Sequence, residues 1–174
     1  MTKLLIGTAN VGKLREIRRI LGDVPYELLS LADFSDIETP DESGSSYAEN
    51  AILKATSYAR QTGLVTLADD SGLEVEALDW APGVLSARYA GDHASDSDRR
   101  SLLLSEVSKA GTATRVARFV CVVAIANPDG VINVAEGICA GEITDAPRGL
   151  GGFGYDPLFV PEGFNLTFAE LPDS

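Results

Sequence analysis

Two stretches, residues 115 to 126 (RVARFVCVVAIA) and 131 to 144 (VINVAEGICAGEIT), constrain the fold of this chain more than any other feature. Both are long and rich in β-branched residues, and Asn127-Pro128-Asp129-Gly130 between them is a turn-forming cluster that predicts a β-hairpin. A purely parallel, doubly wound sheet joins its strands by crossovers of a dozen residues or more, so paired strands this long argue for an extended mixed sheet. The remaining segments must pack around that sheet. Lys3 to Gly7 reads as a short buried strand, and Lys13 to Leu21 as a helix with Leu14, Ile17, Ile20 and Leu21 at helical spacing. Tyr26 to Leu31 reads as a second strand. Ser46 opens a helix with Glu49 completing a capping box, and Tyr47, Ala51, Ala55 and Tyr58 form its apolar face. A further helix runs from Ser95 to Lys109, capped by Ser97 or Ser95, with Leu102, Leu103 and Val107 on its buried side. At 174 residues, one α/β domain spanning 1–174 is expected.

Composition narrows the partners. Fourteen basic against 26 acidic residues give a formal charge of −12, which repels nucleic-acid polymers and anionic membranes. Any phosphate-bearing ligand is then small and held by local positive charge or a metal. The apolar run from Phe119 to Ala126 is too short to span a bilayer, and Lys3-Leu4-Leu5-Ile6 is too short for a signal peptide. Cys121 and Cys139 lie in apolar strand-like sequence without zinc spacing, so buried free thiols and a cytoplasmic location are expected.

The chemistry is expected in Leu67 to Tyr89, where the apolar run Leu64 to Ala68 ends in Asp69-Asp70-Ser71-Gly72. Side chains alternate along a strand, so one acid can face a cleft while the other braces a turn. Asp-Asp-Ser-Gly also reads as a plain polar turn. Gly7 to Lys13 satisfies the GxxxxGK part of a phosphate-binding P-loop, between a strand and a helix, but Leu14 stands where Ser or Thr would ligate magnesium. Thr8, Ala9, Asn10, Val11, Gly12 and Lys13 can still cradle phosphate with backbone N–H groups and one ammonium. A metal must then be held by carboxylates from elsewhere. Asp33 to Ser46 is an acidic surface loop in which Glu38, Asp41 and Glu42 offer hard oxygens. Lys54, with Asn50 one turn before it, lies at the edge of the apolar helix face, either snorkelling or reaching an anion. Gly149, Gly151 and Gly154 spell GxGxxG, but Pro157 follows and no helix does, so a dinucleotide fingerprint is excluded. Glycines beside Phe153 and Tyr155 suit close backbone approach to a flat, stacked ligand. His93 has no partner implied by spacing.

Four segments, TANVGKLREI (8 to 17), ESGSSYAENAILKA (42 to 55), LADDSGLEVEAL with APGVLSARYAG (67 to 91), and GGFGYDPLFVPEG with TFAEL (151 to 163, 167 to 171), together resemble the inosine triphosphate pyrophosphatase or Ham1 family. The resemblance implies an α/β fold of the Maf/Ham1 type, a long mixed sheet flanked by helices in two lobes with a central cleft. It implies hydrolysis of ITP, dITP and XTP to the monophosphate and pyrophosphate, with Mg2+ as cofactor and a homodimer as the assembly. By motif, Thr8 to Lys13 bind phosphate, led by Asn10 and Lys13. Asp70 accepts the proton and ligates magnesium, Glu42 is the other ligand, Ser71 touches substrate, and Phe153, Gly154, Tyr155 and Asp156 line the nucleobase pocket. The family pattern continues past Ala169-Glu170-Leu171 with a Lys-Asn pair and a Ser-His-Arg segment on a C-terminal helix, which is expected to be missing here because the sequence stops at Ser174. Two alternatives stay open: a Maf-type pyrophosphatase for pyrimidine or modified nucleotides, and a nucleotide-binding sensor without turnover.

Overall fold

The structure, a computed structural model, describes residues 2–172. Among these, six strands form: β1 Thr2–Ile6, β2 Tyr26–Ser30, β3 Val65–Val75, β4 Val116–Asn127, β5 Gly130–Ile143 and β6 Phe159–Pro161. Three α-helices accompany them, α1 Val11–Ile20, α2 Tyr47–Thr62 and α3 Asp96–Lys109. The sheet order is β2-β1-β3-β4-β5-β6. β1 is parallel to both β2 and β3, β6 is antiparallel to β5, and Pro128-Asp129 link β4 directly to β5. A mixed sheet around a long hairpin is what residues 115 to 144 predicted. No described helix is long and apolar enough to cross a membrane.

The chain divides into two compact units, Met1–Asp70 with Cys121–Glu136, and Ser71–Val120 with Gly137–Ser174. In the first, Leu5 and Ile6 of β1 are fully buried, as are Ala51, Ala55 and Ala59 on α2. Small side chains let helix and sheet backbones approach. A Cβ on Gly7 would lie 2.8 Å from the Tyr58 ring, so glycine is required where the chain leaves β1. In the second, Leu73 and Val75 of β3 and Leu103 and Val107 of α3 pack with Leu158 and Phe159. Phe159 contacts Phe119 edge-on at 4.8 Å between centroids, and Phe168 at 5.0 Å.

Several expectations need correction. α1 starts at Val11, two residues before the expected Lys13, because the Asn10 side chain accepts the Lys13 N–H and caps the helix there. None of its residues is fully buried, and Ile20 is 74% exposed. The α2 cap is Ser46 as expected, but the Glu49 carboxylate accepts from the Ser45 N–H and hydroxyl, one residue earlier than a capping box requires. α3 is capped by Ser95 with Asp98 in a full capping box. The largest change is in β3. It does not end at the acids but runs unbroken through Asp69-Asp70-Ser71-Gly72 to Val75. Turn-forming acids favour turns by bonding their own backbone; here both carboxylates are engaged by side chains from other elements. Cys121 and Cys139 are free thiols but half-buried, not buried.

Candidate active site

In the first unit the two acids of β3 each take one lysine. Lys13 Nζ donates to Asp69 Oδ2 at 2.7 Å, with the Asp69 side chain 5% exposed. Asp69 therefore orients Lys13 and does not brace a turn. Asp70, 6% exposed, accepts from Asn50 Nδ2 at 3.0 Å through Oδ2, and its Oδ1 lies 3.6 Å from Lys54 Nζ. Lys54 donates more closely to Glu42 Oε1, at 2.7 Å. Asn50, fully buried, accepts the Gly44 N–H on its carbonyl oxygen at 2.8 Å. That bond fixes the amide orientation, so Nδ2 must face Asp70. Lys54 thus reaches inward to two anions; it does not snorkel.

Electrostatics follow from this packing. Burial pushes the Asp70 carboxyl above the ordinary carboxylate range, Glu42 adds to the rise, and Lys54, Asn50 and Lys13 offset only part of it. Burial would lower Lys54, but the Glu42 hydrogen bond and the charges of Asp70, Glu42 and Asp69 outweigh it and hold the ammonium protonated. Burial also raises the Cys121 thiol to about 11, with the Asp69 charge adding to it.

At the α1 N-terminus the Val11 and Gly12 N–H groups have no partner among the described residues, and no acid stands in the first turn. Such an end attracts anions. Asn10 is committed to capping through its side chain, and its N–H donates to Thr8 Oγ1 at 3.2 Å.

The donor set fits a hard divalent cation. No described group of three or more His, Cys, Asp or Glu forms a closed cage, and Mg2+ normally needs only one or two carboxylates beside substrate oxygens and water. Asp70 and Glu42 are two such carboxylates flanking one cation, Lys54. Asp69 Oδ1 is in addition buried with no partner.

In the second unit, Ser71 is half-buried on β3, and the glycine-rich loop is held by the Arg148 N–H donating to the Pro157 carbonyl at 2.8 Å and the Gly151 N–H to the Ala169 carbonyl at 3.0 Å. Tyr155 is 5% exposed within the core, and its hydroxyl donates to the Ser86 carbonyl at 2.9 Å. Its ring is therefore not a stacking face, contrary to expectation; of the two aromatics only half-buried Phe153 is available for that. Asp156 turns back on the loop and accepts the Phe153 N–H at 2.8 Å. A Cβ on Gly152, at φ +68°, would lie 2.2 Å from that carboxylate. Gly154 donates its N–H to Asp96 Oδ2 and accepts from Arg100 at its carbonyl. Burial raises the Asp96 carboxyl, but the Arg99 hydrogen bond, the Gly154 N–H and both arginine charges outweigh it, leaving it below the usual range.

Asp96 suits the positive end of α3 by sequence, but no local pattern points to a place in the site for Asp96, Arg100 or Asn50. The sequence hint for Asn50 is its position, a lone amide on an apolar helix stripe one turn from Lys54. Exposed His93 stays apart from this chemistry.

The sequence model of the Ham1 family matches residues 4–174. The dITP/XTP pyrophosphatase of Geobacter sulfurreducens is 50% identical over 172 residues, covering 99% of this chain and 86% of that protein. The dITP/XTP pyrophosphatase of Thermus thermophilus is 50% identical over 170 residues, covering 97% and 81%. The solved HAM1 protein from Coxiella burnetii matches with a TM-score of 0.89 at 40% identity, covering 99% of this chain and 88% of that one. With its mixed sheet, its paired acids and lysines, and these matches along nearly its whole length, the chain belongs to the Ham1 family.

Proposed function

We propose that this chain hydrolyses non-standard purine nucleoside triphosphates, dITP, XTP and ITP, to the nucleoside monophosphate and pyrophosphate. The observation that carries the reading is the cluster of buried Asp70, Asn50 and Lys54 with half-buried Glu42, in the same compact unit as the open α1 N-terminus. Relatives half identical to this chain bear the name of that activity.

The Val11 and Gly12 N–H groups and Lys13 hold phosphate oxygens, with Thr8, Ala9 and Asn10 shaping the loop. Asp69 keeps the Lys13 ammonium in place. Asp70 accepts a proton as water attacks the α-phosphorus; the new P–O bond forms as the bond to the departing pyrophosphate oxygen breaks. Asn50 aims the Asp70 carboxylate, and Lys54 draws phosphate charge toward it. Asp70 and Glu42 would hold Mg2+, which when bound neutralises triphosphate charge and favours ionised carboxylate and hydroxide. Ser71 contacts the substrate. Phe153 stacks on the base, while Gly154, Tyr155 and Asp156 supply the backbone that shapes its pocket.

A homodimer and a cytoplasmic location complete the proposal. Exposed Val131, Ile132, Val134 and Ile138 along β5 support the first, and the free thiols support the second.

The test is pyrophosphate release from ITP, XTP, dITP, GTP, ATP and dTTP, before and after chelation and magnesium restoration. The reading expects monophosphate and pyrophosphate in one step from the purine analogues, lost on chelation. Diphosphate and free phosphate as first products, or preference for dTTP, would overturn it; binding without turnover would favour a sensor.

A further inference from the structure

We propose that Asp96 and Arg100, both on α3, are positioning residues that set discrimination among nucleobases by clamping the backbone of Gly154. The inference rests on the reading that Phe153 to Asp156 line the base pocket.

Gly154 has one backbone donor and one acceptor, and α3 takes both. Its N–H donates to Asp96 Oδ2 at 2.7 Å, and its carbonyl accepts from Arg100 Nη1 at 2.6 Å. Packing does not hold the residue. A Cβ built on it would meet nothing within 4 Å, and its φ is +56°. Two charge-assisted hydrogen bonds therefore do what side-chain contacts do elsewhere, and such bonds are about twice as strong as neutral ones. Asp96 is itself held, because its other oxygen accepts from Arg99 Nη2 at 2.5 Å. Arg99 is in turn anchored to the Ala87 and Ala94 carbonyls, each at 2.8 Å. The Arg100 Nε is buried with no partner. An arginine that leaves one donor unsatisfied in the interior is poorly explained by the stability of α3 alone; its contact with the loop is what it gains.

The consequence concerns Phe153. Its N–H is bound by Asp156 and its neighbour Gly154 by α3, so the main chain is fixed on both sides while the ring stays half-buried. Small errors in placing a recognition group are expensive, with a misplacement near 1 Å costing on the order of 10²-fold.

The experiment compares Asp96→Ala, Arg100→Met and the conservative Arg100→Lys with the parent and with Phe153→Ala. Readouts are steady-state constants for XTP and ATP, inhibition by inorganic pyrophosphate, and the thermal midpoint. For Arg100→Met and Asp96→Ala, XTP kcat/KM should fall by roughly 10- to 100-fold, mostly in KM, with the XTP preference narrowed and pyrophosphate inhibition within about twofold of the parent. Arg100→Lys should restore part of the preference. A lower thermal midpoint with unchanged XTP and ATP constants would overturn the inference and leave a structural role. If Phe153→Ala narrows the preference and the α3 variants do not, the inference fails alone. If Phe153→Ala changes nothing, the base-pocket reading fails with it. Should Asp96→Ala not fold, the two Arg100 variants carry the test.

Discussion

Asp70 and Gly154 are each fixed by side chains from a helix, but by different physics. Around Asp70 the bonded groups are charges, Asp69, Asp70 and Lys54 buried and Glu42 and Lys13 half-buried: two carboxylates share Lys54, and a third holds Lys13. Around Gly154 the bonded groups are one residue's main-chain N–H and C=O. Removing one partner of a buried ion pair leaves an uncompensated charge and typically costs about 3–5 kcal/mol. Freeing a part-buried backbone group costs less, because water can replace the partner and only the net worth of a hydrogen bond to a charged group, about 1.5–3 kcal/mol, is lost. The acid–lysine cluster should therefore govern whether turnover occurs at all, and the glycine loop which base is accepted.

The largest expected effect sharpens that division. Asp70→Asn keeps the shape but removes the proton acceptor, so dITP turnover should fall by at least about 10²- to 10⁴-fold. Circular dichroism should show an intact fold. Pyrophosphate release within tenfold of the parent would break the assignment of chemistry to this cluster.

Lys54→Met comes next. It leaves the Glu42 and Asp70 carboxylates without their shared cation, so both stability and activity should suffer, with unfolding free energy lower by about 3 kcal/mol. Chemical denaturation measures it. A loss under 1 kcal/mol would mean that the cluster is less dependent on its ion pairs than the comparison requires.

How far the sequence revealed this contrast depends on the kind of interaction. The hairpin at 115 to 144, the Ser46 and Ser95 caps and the apolar faces of α2 and α3 follow from local pattern, and the structure has them. The expectation that the strand stops at Asp69-Asp70 failed because turn propensity describes unpartnered acids, whereas Lys13 lies 56 residues from Asp69 and Asn50 lies 20 from Asp70. Tyr155 misled for a related reason. An aromatic beside glycines looks like a stacking face, yet its burial is decided by Leu73, Leu103 and Ser86, distant in sequence. Motif resemblance already singled out Asp70 of the pair; what the fold adds is the partner of Asp69, the Lys13 ammonium.

That pairing yields the third prediction. Asp69→Asn keeps a hydrogen-bond acceptor for Lys13 and should reduce activity by only about tenfold, chiefly through KM, because phosphate binding loses its oriented ammonium while the proton acceptor stays. Steady-state kinetics on dITP decide it. A kcat loss larger than that of Asp70→Asn would show that the two acids have been assigned in reverse order.

The smallest effect is expected from Tyr155→Phe, and it tests the loop side of the comparison. The hydroxyl donates to the Ser86 carbonyl inside the second unit's core, so its loss should cost about 0.5–1.5 kcal/mol. For a chain of this size that is a fall of only a few degrees, about 2–4 °C per kcal/mol, in thermal midpoint. The ring still fills its place, so XTP and dITP constants should hold within twofold or so of the parent. The phenol supplies an internal control. Burial, with a smaller contribution from the Asp96 charge and an opposing one from Arg99, raises it from 10.0 to about 12. A folded-state value above the unfolded one means that the stabilisation is complete below pH 10 and is lost as pH rises toward 12. Phenylalanine cannot titrate, so the gap in stability between parent and variant should shrink across that window. A gap that stays constant up to pH 12 would mean that the hydroxyl is not held as described, and a change in base preference would mean that Tyr155 belongs to the pocket wall after all.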